Sequence, residues 1–430
     1  MKLLKTRGRG AAQARFLIAA LERRGESMDR AVPVVVQRII HSVRTGGDQA
    51  LRKYAAQLDG LLPQLPLQIR AEEMEAAWAE TSPQIKEALK TADGNIRGFA
   101  GRQLPAEWNF SPISGLNVGQ AIRPIDSVGC YVPSGRHPLP SSLLMTVIPA
   151  QVAGVKRIVV VSPNPARETL AAAHLLGVQS FYRIGGAQAI AALAHGTESI
   201  ARVAKIVGPG NRYVTTAKRL VAFECGIDML AGPTEIVVTS DKGDPAYIAV
   251  ELVAQAEHDP EALAIFVTTK LDLAKAVLAE VEIRARANAT AKESLSKNGY
   301  IFMASSIEEA REITNRLAPE HLTVDDASDV KWVANAGSVF VGRFSPQPMG
   351  DYVSGPNHTL PTGGLARVRG GLSVMDYVKL ITVQSYSLPA LQKLGPSAIG
   401  LAEAEGLFGH AEAIRARGVK SPKRARSQRG

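Results

Sequence analysis

The 430-residue chain is 46% hydrophobic and 21% charged, with two cysteines and a formal net charge of +10. That length carries two or three domains with substantial cores. Two cysteines exclude a disulfide framework and fit a reducing cytosol, and no apolar run reaches the length of a membrane helix.

The basic character is confined to the ends. Residues 1–15 and 415–430 hold twelve Lys and Arg and no acid, so the body between them is slightly acidic and carries no basic stripe. This argues against a nucleic-acid-binding module, whose affinity would fall steeply with salt. The N-terminal arm, residues 1–26, contains "ARFLIAALERR", with helical spacing of its apolar residues. It lacks the long apolar centre and small-residue cleavage site of a signal peptide. A short docking helix is the expectation, with an Arg-rich transit peptide as the alternative.

From residue 30 to about 102 apolar residues recur every three to four positions, which predicts helices. "GQAIRPIDSVGCYVP" (119–133) then turns extended. Beyond it, short β-branched runs such as "RIVVVSP" (157–163), "EIVVTSD" (235–241) and "ALAIFVTT" (262–269) alternate with Ala-rich helical stretches. That alternation is the mark of βαβ units and a mostly parallel sheet covered on both faces. Two such blocks, roughly 130–235 and 236–330, predict two α/β lobes. "HLTVDD" and "AGSVFVG" add strands before a Gly-rich stretch at 350–371. From about Tyr377 to Arg417 the pattern again reads as helical, and "VKSPKRARSQRG" reads as a disordered, solvated tail.

Several segments could carry chemistry. "GCYVPSGRHPLPSSLLM" (129–145) is a Gly, Pro and Ser-rich loop in which Tyr131 offers a flat ring, although composition alone favours an ordinary crossover. "RIGGAQAIAAL" (183–193) and "IVGPGNRYVTTAK" (206–218) are glycine-bearing strand-to-helix turns able to accept an anion. Neither completes a G-x-G-x-x-G fingerprint. In "AQAEHDP" (254–260) Gln255 and His258 are three apart, so a continuing helix would project both from one face. They read either as a helix end stopped by Pro260 or as half of a metal site. "LAPEHL" (317–322) sets Glu320 beside His321, two groups able to move protons if burial tunes them.

"PMGDYVSGPNHTLPTGGLAR" (348–367) is the densest polar and glycine-rich segment, with Asp351 and His358 as plausible ligands; a loop of this kind in a compact domain usually serves function. "EAEGLFGHAEAIRAR" (403–417) puts Glu405 and His410 on or beside a helix, where a capping or exposed histidine is the default. Summed, these residues could serve zinc, which accepts imidazole and carboxylate and keeps an open position when catalytic. An amide ligand such as Gln255 is unusual for it.

Taken together, "GCYVPSGRHPLPSSLLM", "IGGAQAIAAL", "GPGNRYV", "IDMLAGPTE", "QAEHD", "APEHL", "GDYVSGPNHTLPTGGLAR" and "EGLFGHAEA" resemble the histidinol dehydrogenase family, from about Ala31 to Arg417. The resemblance implies a zinc- and NAD-dependent enzyme that oxidises histidinol to histidine, cytoplasmic and homodimeric. It implies metal ligands at Gln255, His258, Asp351 and His410, with His410 and Glu405 acting across the dimer interface. It implies cofactor contacts at Tyr131, Gln188 and Asn211. Substrate contacts are implied at Thr234, His358 and Glu405 together with the metal ligands and His321, and an acid–base pair at Glu320 and His321. The implied fold is α/β, two incomplete Rossmann-like lobes like those of aldehyde dehydrogenases, with small terminal segments exchanged between subunits. The larger lobe would be discontinuous, 27–129 with 236–372; the second would span 130–235, followed by a helical segment at 373–417 and the tail at 418–430.

Ser134 stands where the family usually has glycine, and His137, Pro138, "GPNH" and Gly370 also depart from its pattern. These departures touch neither the implied zinc ligands nor the acid–base pair, but they leave room for altered cofactor-loop geometry. A paralogue acting on another polar hydroxymethyl alcohol, such as a sulfonated diol, and a zinc hydrolase using metal-bound hydroxide are the competing readings.

Overall fold

The computed structural model describes residues 1–26, 31–134 and 138–419. The tail beyond Val419, and His137 in the 129–145 loop, lie outside the described residues. The chain divides into two compact units. The larger takes Met1–Leu104 and Ile125–Tyr377, the smaller Pro105–Pro124 and the chain from Val378 onward.

The larger unit is mixed α/β and holds two six-stranded sheets. One is parallel throughout, in the order Lys2–Lys5, Gly299–Met303, Leu263–Thr268, Glu235–Thr239, His321–Val324, Ser338–Val341. Its β-branched runs alternate between two buried faces. Ile236 and Val238 pack with Ala264, Phe266 and Ile301 on one side, and Val237 with Ile265, Val267 and Phe302 on the other. Burial on both faces is why these strands read as unbroken apolar runs. Truncating a fully buried ring such as Phe266 to alanine would cost about 3–5 kcal/mol.

The other sheet runs Gln68–Ile69, Ser180–Tyr182, Arg157–Val161, Ser127–Tyr131, Lys205–Val207, Gly226–Ile227. It is parallel except where Gln68–Ile69 pairs antiparallel with Ser180–Tyr182. Its core is closed by helices Ala31–Leu58 and Gly186–His195, which supply Val36, Val43, Leu51, Ala189 and Leu193. The edge strand comes from the region whose periodicity predicts only helices; at two residues it is too short to show a period.

The smaller unit is a three-stranded antiparallel sheet, Val378–Tyr386, Leu116–Pro124, Trp108–Ile113, followed by helices Leu388–Ala404 and Phe408–Arg415. The helical expectation from Tyr377 onward is therefore corrected over Val378–Tyr386. "VKLITVQSY" carries consecutive β-branched residues at Ile381, Thr382 and Val383, which suits a strand. Its side chains are exposed on both faces, so no in–out alternation marks it.

Candidate active site

Two helices return the chain to the amino edge of the all-parallel sheet. Helix Pro245–Ala256 starts at Asp244, whose carboxylate accepts from Ala246 N–H (2.8 Å), and runs back to deliver Gln255 in its last turn. Helix Ile307–Leu317 ends at Ala318, held in the left-handed region (φ 43°), and Pro319 follows. Glu320 and His321 then sit at the start of the next strand, with His321 paired in register with Ile236. Thr234, Gln255, Glu320 and His321 thereby meet at one sheet edge.

His321 is buried, and its Nδ1 lies 3.1 Å from the Glu235 carbonyl oxygen. A carbonyl can only accept, so Nδ1 carries hydrogen and the neutral ring presents a lone pair at Nε2. Nε2 is buried without a hydrogen-bond partner, 3.6 Å from Asp351 Oδ1. Burial disfavours the imidazolium, but the Glu320 and Asp351 carboxylates outweigh it and push the His321 pKa up to about 10. Glu320 Oε2 accepts from Thr234 Oγ1–H (2.6 Å) and Glu235 N–H (2.7 Å). Gln255, fully buried, donates from Nε2 to Thr234 Oγ1, which leaves Oε1 buried with no donor.

Asp351 lies on the short helix Gln347–Tyr352 and accepts from Gln347 Nε2–H at 2.7 Å. Burial works against its charge, but the His321 imidazole 3.6 Å away, with His358 and His258 nearby, holds its carboxyl below the usual range. His358 Nδ1 approaches the Asp351 carbonyl oxygen (2.8 Å) and its Nε2 approaches Ser142 Oγ (3.2 Å). Burial lowers its pKa. His321, Phe340, Asp351, Asn357 and His358 line a cavity of about 320 Å³.

The shared helical face expected of Gln255 and His258 is not what the chain forms. The helix ends at Ala256, and His258 is exposed in the bend beyond, its N–H reaching back to the Gln255 carbonyl oxygen (3.4 Å). Among the described residues no three His, Cys, Asp or Glu side chains form a ready metal cage. The donors do fit a divalent cation: an amide oxygen buried without a partner, a carboxylate held ionised, and an imidazole close enough to bear on that carboxylate.

The other predicted residues gather elsewhere. Tyr131, Gln188 and Asn211 lie at the carboxyl edge of the second sheet, where its strands turn into helices. The Tyr131 ring is 3% exposed, not open for stacking, and its hydroxyl accepts from Gly186 N–H (3.1 Å). Burial pushes that phenol up to about 12, so it stays protonated. Gln188 is buried with Oε1 unpartnered. Asn211 caps helix Arg212–Val221, its Oδ1 accepting from Tyr213 and Val214 N–H. Glu405 follows helix Leu388–Ala404 and His410 lies in the first turn of Phe408–Arg415, both exposed in the smaller unit.

Four contributors escape a reading of motifs. Asp59 accepts from Gly185 N–H (2.9 Å) and Gln188 Nε2–H (3.0 Å) and so fixes the glycine turn. Ser142, Glu235 and Gln347 touch His358, His321 and Asp351 as above. Only Gln347 carried a local signal, four residues before Asp351 on one helical face.

The histidinol dehydrogenase family profile matches residues 22–418. The chain is 46% identical to the histidinol dehydrogenase of Methanothermobacter thermautotrophicus over 396 residues, 89% of this chain and 92% of that one. It is 44% identical to that of Gluconobacter oxydans over 430 residues, 97% and 99% of the two chains. The crystal structure of histidinol dehydrogenase from Elizabethkingia anophelis superposes with a TM-score of 0.91 at 33% identity, covering 97% of this chain and 98% of that one. With that agreement in sequence and fold across nearly the whole length, this chain belongs to the histidinol dehydrogenase family of oxidoreductases.

Proposed function

We propose that the protein oxidises L-histidinol to L-histidine through L-histidinal, the last step of histidine biosynthesis. Two NAD are reduced per turnover and one zinc ion serves each subunit. The observation that carries this reading is an unpartnered His321 Nε2 with the Asp351 carboxylate 3.6 Å away, and an orphaned Gln255 Oε1 on the amide that shares Thr234 with Glu320.

Bound zinc supplies Lewis-acid anchoring for the substrate's amine and imidazole nitrogens, and bound NAD accepts the hydrides. Gln255, His258, Asp351 and His410 are the residues to hold the metal. Thr234, His358 and Glu405 contact the rest of the substrate, and Tyr131, Gln188 and Asn211 serve the cofactor. His321 Nε2 takes the proton of the hydroxymethyl group as the first hydride leaves. Glu320 then takes a proton from the water that adds to the aldehyde, giving the hydrate from which the second hydride departs. Asp351, were it to hold a cation, would pull less on His321, which would favour the neutral imidazole the first step needs.

A homodimer with shared sites belongs to the same reading. It is supported by apolar side chains left exposed in the smaller unit on both faces of its sheet, Leu380 on one and Ile381 and Val383 on the other, with Phe408 beside His410. A cytoplasmic location is also part of it, supported by two buried free thiols, Cys130 and Cys225. No helix among the described residues is long and apolar enough to cross a membrane.

The test follows absorbance of reduced nicotinamide with histidinol and with histidinal as separate substrates. His321→Asn should slow the alcohol step by about 10²–10⁴ and Glu320→Gln mainly the aldehyde step, as expected for loss of a proton-transfer group. Near-normal rates of both variants in both assays would show the assignment to be wrong. A sulfonated diol used faster than histidinol would favour the paralogue.

A further inference from the structure

We infer that Glu235 is a positioning residue for the acid–base pair, and that Arg24 of the N-terminal arm holds it in place. This rests on the proposal that Glu320 and His321 move the protons. Glu235 has no place in that chemistry, yet its backbone touches both partners: its N–H donates to Glu320 Oε2 (2.7 Å), and its carbonyl oxygen receives His321 Nδ1–H (3.1 Å). One peptide segment therefore sets the carboxylate's angle and the imidazole's tautomer together.

The Glu235 side chain is buried, 4% exposed, and three donors hold it. Arg24 presents a fork, Nε to Oε1 (2.6 Å) and Nη2 to Oε2 (2.5 Å), and Gly363 N–H donates to Oε1 (2.9 Å). Arg24 is itself tied down: Nη1 donates to the Leu21 carbonyl oxygen (2.7 Å), and Nη2 reaches that of Ala318 (3.5 Å), two residues before Glu320. A Cβ on the next residue, Gly25, would come within 2.7 Å of the Gly363 carbonyl oxygen, so backbone packs on backbone here. A paired fork fixes direction as well as charge, which a lysine would not do. Two carboxylates, Glu235 and Glu320, thus lie at neighbouring strand ends, with Arg24 as the cation paired to the first. The linkage from arm to proton-transfer groups runs through one side chain and its own peptide groups.

The experiment compares Arg24→Ala, Arg24→Lys and Glu235→Gln in the zinc-loaded full-length enzyme. Arg24→Ala should lower kcat about 10–100-fold, the scale of a sub-ångström to ångström misplacement. KM for histidinol and NAD should stay within about threefold and zinc content should be unchanged. Millimolar guanidinium should restore several-fold of that loss, and equal ammonium should not. In a His321→Asn background the same change should cost less than about threefold, because the group being positioned is already gone.

A kcat within about twofold of wild type overturns the inference, and so does an undiminished loss in the His321→Asn background, which would mean general support of the fold. If Arg24→Ala yields no soluble protein, Arg24→Lys and Glu235→Gln carry the comparison: kcat should fall with KM kept, and retention of kcat overturns the inference. Normal turnover by His321→Asn alone would instead sink the parent assignment, and this inference with it.

Discussion

Thr234 stands between two side chains with different needs. Its hydroxyl hydrogen goes to Glu320, so its oxygen must accept from Gln255, and the amide cannot flip without losing that bond. Hydrogen counting alone thus turns Gln255 Oε1 away from Thr234 with no donor, the state expected of a cation ligand. Glu251 shows a different tuning. Its carboxylate accepts from Gln347 N–H (3.0 Å), but burial pushes its pKa up to about 6 from 4.5. A raised folded pKa gives stability that is full below about 4.5 and lost as pH rises through about 6. Glu251→Gln should therefore gain about 2 kcal/mol on wild type between pH 4.5 and 7, read from urea midpoints. A difference that stays flat with pH would contradict this. Residue types were legible here and their roles only partly so. "APEHL" offers a candidate proton-moving pair, but no spacing shows that the Glu235 backbone touches it, because that contact crosses 85 residues of chain.

Helices act here as levers that carry a side chain from one sheet edge to the other. Helix Pro245–Ala256 is capped at one end by Asp244 and places Gln255 at the other. Asp244→Ala should cost about 1 kcal/mol in the denaturation midpoint while zinc content and kcat stay at wild-type levels. A loss of zinc with that change would show that the helix does not behave as a rigid body. The α/β alternation that predicts parallel sheets was plain in sequence because each strand is buried on both faces. The strand at Val378–Tyr386 was not, because exposure on both faces removes the period. The bend that takes His258 off the helix was hidden as well, since Pro260 marks where a helix must stop but not how many residues earlier it does.

At the scale of the molecule, the proton-transfer candidates occupy the amino edge of one sheet and the cofactor candidates the carboxyl edge of the other. The ligand set implied for zinc is split between the two compact units, which is the arrangement a shared-site dimer would use. Subunit mixing tests this. With histidinal as the substrate, His410→Ala and Glu320→Gln homodimers should each be nearly inactive. After exchange at equal amounts, half the molecules are mixed and each has one undamaged site, so about a quarter of wild-type activity should return. Activity that never exceeds the sum of the parents would place His410 with its own chain's Glu320. The exposure of Glu405 and His410 gave no warning of such a role, since an exposed helical histidine is the ordinary case.

The edge strand Lys2–Lys5 finds its neighbour at Gly299–Met303, and Ser338–Val341 completes the opposite edge. During translation the sheet that ends at Ile227 can pack soon after that residue leaves the ribosome. The other must hold its first strand unpaired until most of the chain has been made, and such long-range pairing is slow. The sheet that carries the cofactor candidates is therefore born first. Arg24 cannot lock Glu235 until the nascent chain has closed around both, so chemistry is the last thing this protein acquires.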